Sequence, residues 1–365
     1  IGLGSNTIVL GNGTITKTRL YGNVGIGVDA PAYQLQTSEG INVQGMNIKA
    51  PVGSGVNQTN NTAVGFNAME INTTGDHNTG IGGQALLSNT TGGSNTALGS
   101  SALTFNNVGN RNVAVGRRAL VLNAIGSDNV ALGYNALYNS NGNGSVAIGS
   151  EALEFTTTGD SNTAVGTQAL QLNTTGDLNT GVGKFAGRSN TTGSSNTSLG
   201  FRAGYSITTA SSNTYIGKGA GDLNLGSNNS AVGADALGSL SSGGGNVALG
   251  YKAGAEISGG TPNTTSTDSV FIGKDASPLA LSQTNEIVIG ADAVGLGSNT
   301  TAIGNSATTD TRIWGKLDVP TGGIDSYGDI EIDLGQGVIL KSPNGTRYRI
   351  VVSDLGALSA TVVLP

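Results

Sequence analysis

The sequence predicts an all-β repeat solenoid, a parallel β-roll in which short strands stack into one long ladder. Three observations carry this reading. A five-residue string recurs at a fixed step, as NTAVG at 61–65, NTGIG at 78–82, NTALG at 95–99, NVAVG at 112–116 and onward to NVALG at 246–250. Its closing glycines stand at 65, 82, 99, 116, 133, 149, 166, 183, 200, 217, 233 and 250, every step being 16 or 17 residues. The composition is hostile to helix: 61 of 365 residues are glycine, and Asn, Thr and Ser fill much of the rest. Glycine costs roughly 1 kcal/mol per helical site, so several per unit forbid a helix. Finally, four- to six-residue apolar runs between Gly, Asn, Asp and Ser clusters read as strands. One such unit cannot bury an apolar face alone, whereas stacked units can.

Residues 1–24 read as the last rungs of a preceding roll and its exit, with loose copies of the unit ending at Gly11 and Gly27. The chain starts at Ile1 and is read as a piece of a longer polypeptide. Residues 25–60 are a connector. Residues 61–304 are the main roll, whose looser final copies end at Gly273, Gly290 and Gly304. Three residues after most closing glycines stands an Ala-Leu pair, such as Ala85-Leu86, Ala102-Leu103 and Ala119-Leu120, replaced later by Ala-Gly at Ala186-Gly187 and Ala203-Gly204. Each unit is therefore a strand, a Gly turn, a second apolar stretch and a polar loop, often Thr-Thr-Gly-Asp. Rungs spaced about 4.8 Å apart give the eleven steps from Gly65 to Gly250 a span of roughly 50 Å. An Asn column, from Asn61 through Asn78 and Asn95 to Asn246 with Ser145 as its one break, fits stacked side-chain amides.

Period-two reading of each strand sends adjacent residues to opposite faces. The aliphatic column Val64, Ile81, Leu98, Val115, Leu132, Ile148 and Val165 is expected inside the roll, and the neighbouring Ala column outside. So thin a core is marginal on surface-to-volume grounds. Side-by-side association of chains is the expected remedy, with the Ala column at the contact.

Residues 305–327 form an exit or neck element, because 304–317 (GNSATTDTRIWGKL) matches 11–24 (GNGTITKTRLYGNV) without a gap. Residues 328–365 read as a small β-meander tip. Ile330, Ile332 and Leu334 alternate with Glu331 and Asp333. Val338–Lys341 and Thr346–Val352 flank the turn signal Pro343-Asn344-Gly345, and Leu358–Leu364 follows a second turn at Asp354-Leu355-Gly356.

Several function classes are excluded by composition. The chain has no cysteine, a net charge of −6 and only 11% charged residues. A disulfide scaffold, a cysteine-ligated zinc and a cysteine nucleophile are ruled out. Nucleic-acid binding needs a clustered basic footprint that an acidic chain does not supply. No apolar run approaches the length of a membrane-spanning helix. The one histidine, His77, lies beside Asp76 in a repeat loop and reads as exposed rather than as part of a triad. GVGKFAG (181–187) and GKGAGD (217–222) are glycine-rich, but neither Lys184 nor Lys218 is followed by Ser or Thr as a phosphate loop requires. Asp76, Asp160 and Asp177 recur as solvated loop carboxylates, one per rung, which is poor for a glycosidase pair and for a calcium site, and the sequence leaves open whether the loops bind calcium. No catalytic residue, metal site or cofactor is expected.

Two places are candidates for partner contact. Asn344, Arg347, Tyr348 and Arg349, with Lys341, form a basic-aromatic cluster of the composition that interface hot spots favour. The step from Gly250 to Gly273 stretches to 23 residues, and its insertion at 256–267 carries Thr261 and Asn263. Loops projecting from a regular scaffold carry binding more often than the scaffold does.

The repeat resembles a known family. GSVAIGS (144–150) and the NTAVGxxAL units are similar to the left-handed parallel β-roll of YadA-like trimeric autotransporter adhesin heads, and such repeats also occur in bacteriophage tail fibres. The resemblance covers 61–304, with a period two or three residues longer than the adhesin unit. It implies a homotrimer of rolls around a three-fold axis. GNVGIGVDAPAYQLQ (22–36) and the segment 337–365 resemble phage fibre proteins, and the chain carries neither heptads nor barrel strands. The resemblance thus implies a virion tail fibre that binds a host surface receptor, a polysaccharide or an outer-membrane component, and meets other tail proteins through its N-terminal side. A bacterial surface adhesin is the alternative, and a polysaccharide-degrading tailspike a third reading.

Overall fold

The computed structural model describes residues 60–308 in full, together with the backbone of strands at 24–26, 35–37, 41–43, 46–49, 338–341, 347–352 and 358–363. The chain divides into two compact units, Ile1–Thr309 and Asp310–Pro365.

The first unit is a parallel β-solenoid, as the repeat predicts. Strands β1 (Val24–Ile26) and β2 (Leu35–Thr37) pair in parallel. Strands β3 (Ile41–Val43) and β4 (Met46–Lys49) form an antiparallel pair, and β4 then lies antiparallel to β5 (Thr62–Val64) with Ile48 opposite Val64. The first rung of the roll is thereby covered rather than left as an open edge. From β5 to β19 (Thr301–Ile303), fifteen three-residue strands pair in parallel, each with the next, in unbroken register. Every NTAVG-type string contributes one of them, and so do the looser copies before Gly273, Gly290 and Gly304. At about 4.8 Å per rung the fourteen steps span about 67 Å. The described residues contain no helix.

The facing of each strand is opposite to the sequence expectation. The central residue points inward: Ala97, Ala114, Ala131, Ala147 and Ala164 are fully buried. The aliphatic column faces out, with Leu98, Leu132 and Leu249 at 46%, 44% and 50% exposure. The reason is the opposite wall. The Leu of each Ala-Leu pair, such as Leu86, Leu103 and Leu120, is also fully buried and reaches across to the centre of the strand. A methyl group added at Gly181, a central position, would stand 2.9 Å from Leu170 Cγ of the preceding rung. From Ala97 to Ala164 the thin interior holds one Leu and two Ala methyls per rung where strand faces wall, while further along Ile207 and Leu240 are fully buried as well. Where the chain places a ring at the centre, the Leu opposite is gone. Gly204 and Gly221 bracket Tyr215, with an added Cβ 2.9 and 2.3 Å from its ring, and Gly254 lies 2.7 Å by the same measure from the Phe271 ring.

The closing glycine serves two demands at once. At Gly133 φ is +143°, and a Cβ would fall 2.4 Å from the carbonyl oxygen of Gly149 on the next rung. Only a residue without a side chain fits that turn and that approach.

Polar ladders fill the rest of the interior. In the Asn column read from the sequence, each side-chain oxygen accepts the backbone N–H of its successor, as from Asn95 to Asn78 at 2.9 Å and from Asn112 to Asn95 at 2.9 Å. The amide nitrogen donates to a loop carbonyl, Asn78 to Gly92 at 2.8 Å. Ser145 keeps the chain of bonds, donating its N–H to Asn129 and accepting from Asn162 N–H through Oγ. Direct amide-to-amide bonds run through a second column, where Asn89 donates to Asn72 at 2.7 Å, Asn106 to Asn89 at 2.7 Å and Asn123 to Asn106 at 2.8 Å; the first column adds two, Asn213 to Asn196 and Asn246 to Asn229, both at 3.1 Å. Both columns converge on one carbonyl per rung; Gly92 accepts from Asn78 and from Asn89. That convergence fixes the polar loop. The loop adds a third, outer ladder, in which Asn143 N–H donates to Asp160 and Asp160 N–H to Asp177. These aspartates are exposed, but each is an acceptor in the ladder.

The second unit contains an antiparallel sheet in the order β20 (Val338–Lys341), β21 (Arg347–Val352), β22 (Leu358–Val363). Its three strands correspond to the expected stretches Val338–Lys341, Thr346–Val352 and Leu358–Leu364. The exit elements at 18–22 and 311–315 and the alternating stretch 330–334 lie outside the described residues.

Candidate functional site

The sequence candidates fall in three kinds of place. Arg347, Tyr348 and Arg349 open the central strand β21, where Arg347 pairs with Lys341 and Val363, Tyr348 with Leu340 and Val362, and Arg349 with Ile339 and Thr361. Asn344 lies outside the described residues. In the insertion, Glu256 and Pro262 form an antiparallel bridge and Ile257 N–H donates to Thr261 O at 2.7 Å, so the segment is a small hairpin with its tip at 258–260. Thr261 is exposed beside that tip. Asn263 is buried: its amide donates to Gly254 O at 2.9 Å and its Oδ1 accepts from Ser266 Oγ at 3.0 Å. It closes the hairpin onto the roll instead of presenting a side chain to a partner.

Beside this hairpin is a recess lined by Lys252, Glu256, Ser258, Asp275 and Asp292. Its charges are already matched. Lys252 meets Glu256 at 2.9 Å, a contact that raises the lysine above its usual range, and Lys274 meets Asp275 at 2.8 Å and Asp292 at 3.4 Å. Among the described residues no three His, Asp or Glu side chains are grouped to hold a metal ion. His77 is exposed, 3.3 Å from Asp76 and 3.1 Å from the Asn60 amide.

Two surfaces that the sequence reading did not single out run along the roll. The first is the outer face of the ladder. The third residue of all fifteen strands, from Val64 to Ile303, is Val, Leu or Ile, and none of the fifteen is buried. Contiguous apolar stripes of this length are rare on lone soluble chains.

The second surface lies beyond the Gly turn, at the first, second and fifth residues after each closing glycine. Most rungs carry small or polar residues there. Two stretches carry groups of cations and rings, and a third rung sets Lys252 Nζ 5.9 Å from the Tyr251 ring. In one, the Arg117 and Arg118 guanidinium carbons stand 5.8 Å and 4.6 Å from the Tyr134 and Tyr138 ring centres, and Arg118 donates to the Tyr138 hydroxyl at 2.8 Å. In the other, Lys184 Nζ is 4.7 Å from the Phe185 ring and Arg202 is 4.6 Å from the Tyr205 ring. Arg188 lies between Phe185 and Tyr205, at 6.0 and 5.9 Å. The Phe185 ring packs 6.1 Å from Phe201 and edge-on 6.2 Å from Tyr205. The signal for this cluster was in the sequence, as residues 17 apart in neighbouring units.

Ionisation elsewhere on the roll follows local contacts. Arg111 holds the Asp128 carboxyl below the usual aspartate range through a 2.6 Å hydrogen bond. Partial burial pushes Asp222 up, against the opposing pull of Arg202 at 3.0 Å. Burial pushes the Tyr215 phenol far up, so it stays neutral.

Comparison of the chain with protein-family models, with curated proteins and with solved structures returned no match. The fold and surfaces define a parallel β-solenoid of β-roll type with an outward apolar stripe and a separate cation-aromatic face.

Proposed function

We propose that this chain is part of an adhesive fibre of the bacteriophage tail-fibre kind, three copies standing side by side and holding a host cell surface. The observation that carries the reading is the outward aliphatic column. A stripe of fifteen Val, Leu and Ile side chains, one per rung, is suited to burial against an identical stripe. At about 1 kcal/mol for the unburied half of an aliphatic side chain, the column offers on the order of 15 kcal/mol per chain. That is enough to offset an association cost of roughly 4–15 kcal/mol. The contact surface in this proposal is the aliphatic column and not the Ala column, which is interior. The resemblance of the repeat to trimeric adhesin heads supports three chains. The antiparallel sheet of the second unit, matching the segment similar to fibre termini, favours a virion fibre over a bacterial surface adhesin.

In this role the protein works without catalysis. Ladders stiffen the rod, and weak contacts multiplied over three chains and several fibres give avidity. The tip residues Arg347, Tyr348, Arg349 and Asn344 and the insertion at Thr261 remain candidate receptor contacts.

Light scattering of the purified chain tests the proposal. The expected mass is three times 36.1 kDa. Replacing Leu98 and Leu132 together by Ser is expected to shift the population toward single chains, and the labelled wild type is expected to coat susceptible bacteria. A chain that stays a monomer at micromolar concentration and coats no cells would overturn the assignment.

A further inference from the structure

The cation-aromatic cluster at 184–205 gathers three cations and three rings, more than any other part of the described roll. Four of the nine Lys and Arg in residues 60–308 face a carboxylate: Arg111, Arg202, Lys252 and Lys274. The other five are Arg117, Arg118, Lys184, Arg188 and Lys218, and among the described residues none of them makes an ion pair. Four of these five stand over aromatic rings. The same residues carry 14 Asp and Glu, so carboxylates are not scarce. The repeat places one opposite a cation readily, 17 residues on, as Asp128 stands to Arg111.

The ring contact orients each cation without neutralising it. Arg188 is held by three neighbours: the Phe185 and Tyr205 rings, the Tyr205 hydroxyl at 3.3 Å and Gln168 Oε1 at 3.2 Å. Lys184 is exposed and Phe201 is 44% exposed. The nearest carboxylates on the N-terminal side, Glu151 and Glu154, are occupied by the amides of Gln168 and Gln171 at 2.6–3.0 Å. On the C-terminal side Asp222 is occupied by Arg202. What remains is a patch of exposed ring surface flanked by two cations with open donor capacity.

We infer that the Lys184–Phe185–Arg188–Phe201–Tyr205 cluster is a binding site for an acidic oligosaccharide, its rings receiving the apolar face of a sugar and Lys184 and Arg188 its anion. Charge complementarity selects the ligand class: a neutral glycan leaves both cations unmatched, and a bare small anion leaves the rings uncovered. Arginine binds carboxylate and phosphate with the same fork geometry, so the anion is a uronate-type carboxylate or a sugar phosphate. The inference rests on the adhesive reading for its biological sense and on the cluster alone for its chemistry. Arg118 and Tyr138 repeat part of the arrangement four rungs earlier, about 19 Å along the stack.

The repeat supplies mild variants for the test. Gln168 and Gln171 occupy, one rung earlier, the places of Phe185 and Arg188, and Gln168 shares the left-handed φ, +56° against +63°. Phe185→Gln and Arg188→Gln therefore install residues the roll already accommodates. The full chain is applied to a printed panel of bacterial oligosaccharides bearing uronates, bearing phosphates, or neutral. Retention of one or both acidic groups over the neutral ones is expected, with each variant losing at least about tenfold in affinity, which is 1.4 kcal/mol. Arg111→Gln, on a distant rung, is expected to change nothing. Which acidic group is held identifies the anion. Equal retention of neutral sugars, no retention of any acidic sugar, or acidic binding untouched by both variants would refute the site. If that happens while the chain is still a trimer that coats bacteria, the site fails and the fibre reading stands. Acidic-sugar binding by a chain that is monomeric and coats no cells would separate the two the other way.

Discussion

The second Asn column makes a quantitative forecast that compares two neighbouring rungs of the same ladder. Asn106 donates to Asn89 Oδ1 at 2.7 Å and to Gly109 O at 3.0 Å, and accepts from Asn123 at 2.8 Å. Replacing it with Ala removes all three bonds. Gly109 O keeps its bond from Asn95. Two buried groups are left without partners, Asn89 Oδ1 and one N–H of Asn123. Each such orphan costs about 1–3 kcal/mol, so Asn106→Ala is expected to cost about 2–6 kcal/mol. Asn123 ends its run, because Ser140 stands at the next position and Asn123 Oδ1 has no partner. Asn123→Ala leaves one new orphan, Asn106 Oδ1, since Gly126 O keeps its bond from Asn112. It also removes an oxygen that was unpaired already. Its cost is expected near about 1–3 kcal/mol. Urea unfolding of the three proteins at one fixed protein concentration, followed by far-ultraviolet circular dichroism, reads the order directly, provided the slopes agree. If Asn123→Ala were as damaging as Asn106→Ala, partner counting within the ladder would be the wrong account of its stability.

Three further outcomes follow from named contacts. Ala131→Leu, at a fully buried central position, is expected to destabilise by about 1–3 kcal/mol through overpacking, whereas Leu132→Ala next to it costs less than about 1 kcal/mol in dilute single chains; thermal melting of both distinguishes the observed facing from its opposite. Gly221→Ala would put a Cβ 2.3 Å from the Tyr215 ring, so it is expected to destabilise strongly, and Tyr215→Ala in the same chain is expected to recover about 1–3 kcal/mol of coupling in a double-mutant cycle. Asp128 is expected to titrate below ordinary aspartate by NMR, and Arg111→Gln to return it to the usual range. Because its folded value is lowered, the stabilisation from this exposed pair is present above the ordinary aspartate range and is lost as acid is added through the lowered value.

Much of the fold is legible in the sequence because the repeat states it many times. Strand positions follow from the closing glycines, and the tip strands from the turn at 343–345. The facing was not legible from any single unit. Strand alternation separates Ala131 from Leu132 but does not say which side is the interior, and hydrophobicity argues for the wrong one. The missing fact is that Leu120 and Leu137 come from the far wall and use the available volume. A signal existed across units: where Tyr215 or Phe271 replaces the central Ala, the paired Leu becomes Gly204, Gly221 or Gly254. Two positions that exchange volume must face each other. The second Asn column is equally present in the sequence, in Asn72, Asn89, Asn106 and Asn123, but that run is only four rungs long and stands beside a loop of variable sequence. In sequence Lys184 stands in a glycine-rich string beside Phe185, and only the 17-residue step brings Tyr205 over Arg188 to complete the cluster.

Comparison of the rungs with one another separates what the stack needs from what something outside it needs. Inside, every requirement has a visible cause in the adjacent rung: Ala faces Leu, Asn faces Asn, and Gly faces a carbonyl. Outside, a position free of such contacts is free to vary. The second residue after the closing glycine does so, as Gln84, Ser101, Arg118, Glu151, Gln168, Phe185 and Arg202. Nothing in the stack selects a ring or a cation there, and the acidic-sugar site inferred above would be a reason for both to be grouped at 184–205. The outward strand residue behaves in the contrary way. It is exposed or half-buried in every rung, yet it is Val, Leu or Ile in fifteen rungs of fifteen. Strand propensity explains part of that, since β-branched residues suit a pleated surface. Thr suits it equally, and the first strand residue, also outward, is Thr in eight rungs. At the third residue Thr never occurs. The difference between two outward columns on one strand cannot come from the backbone they share, and the apolar contact proposed above, laid against the third column, would account for it.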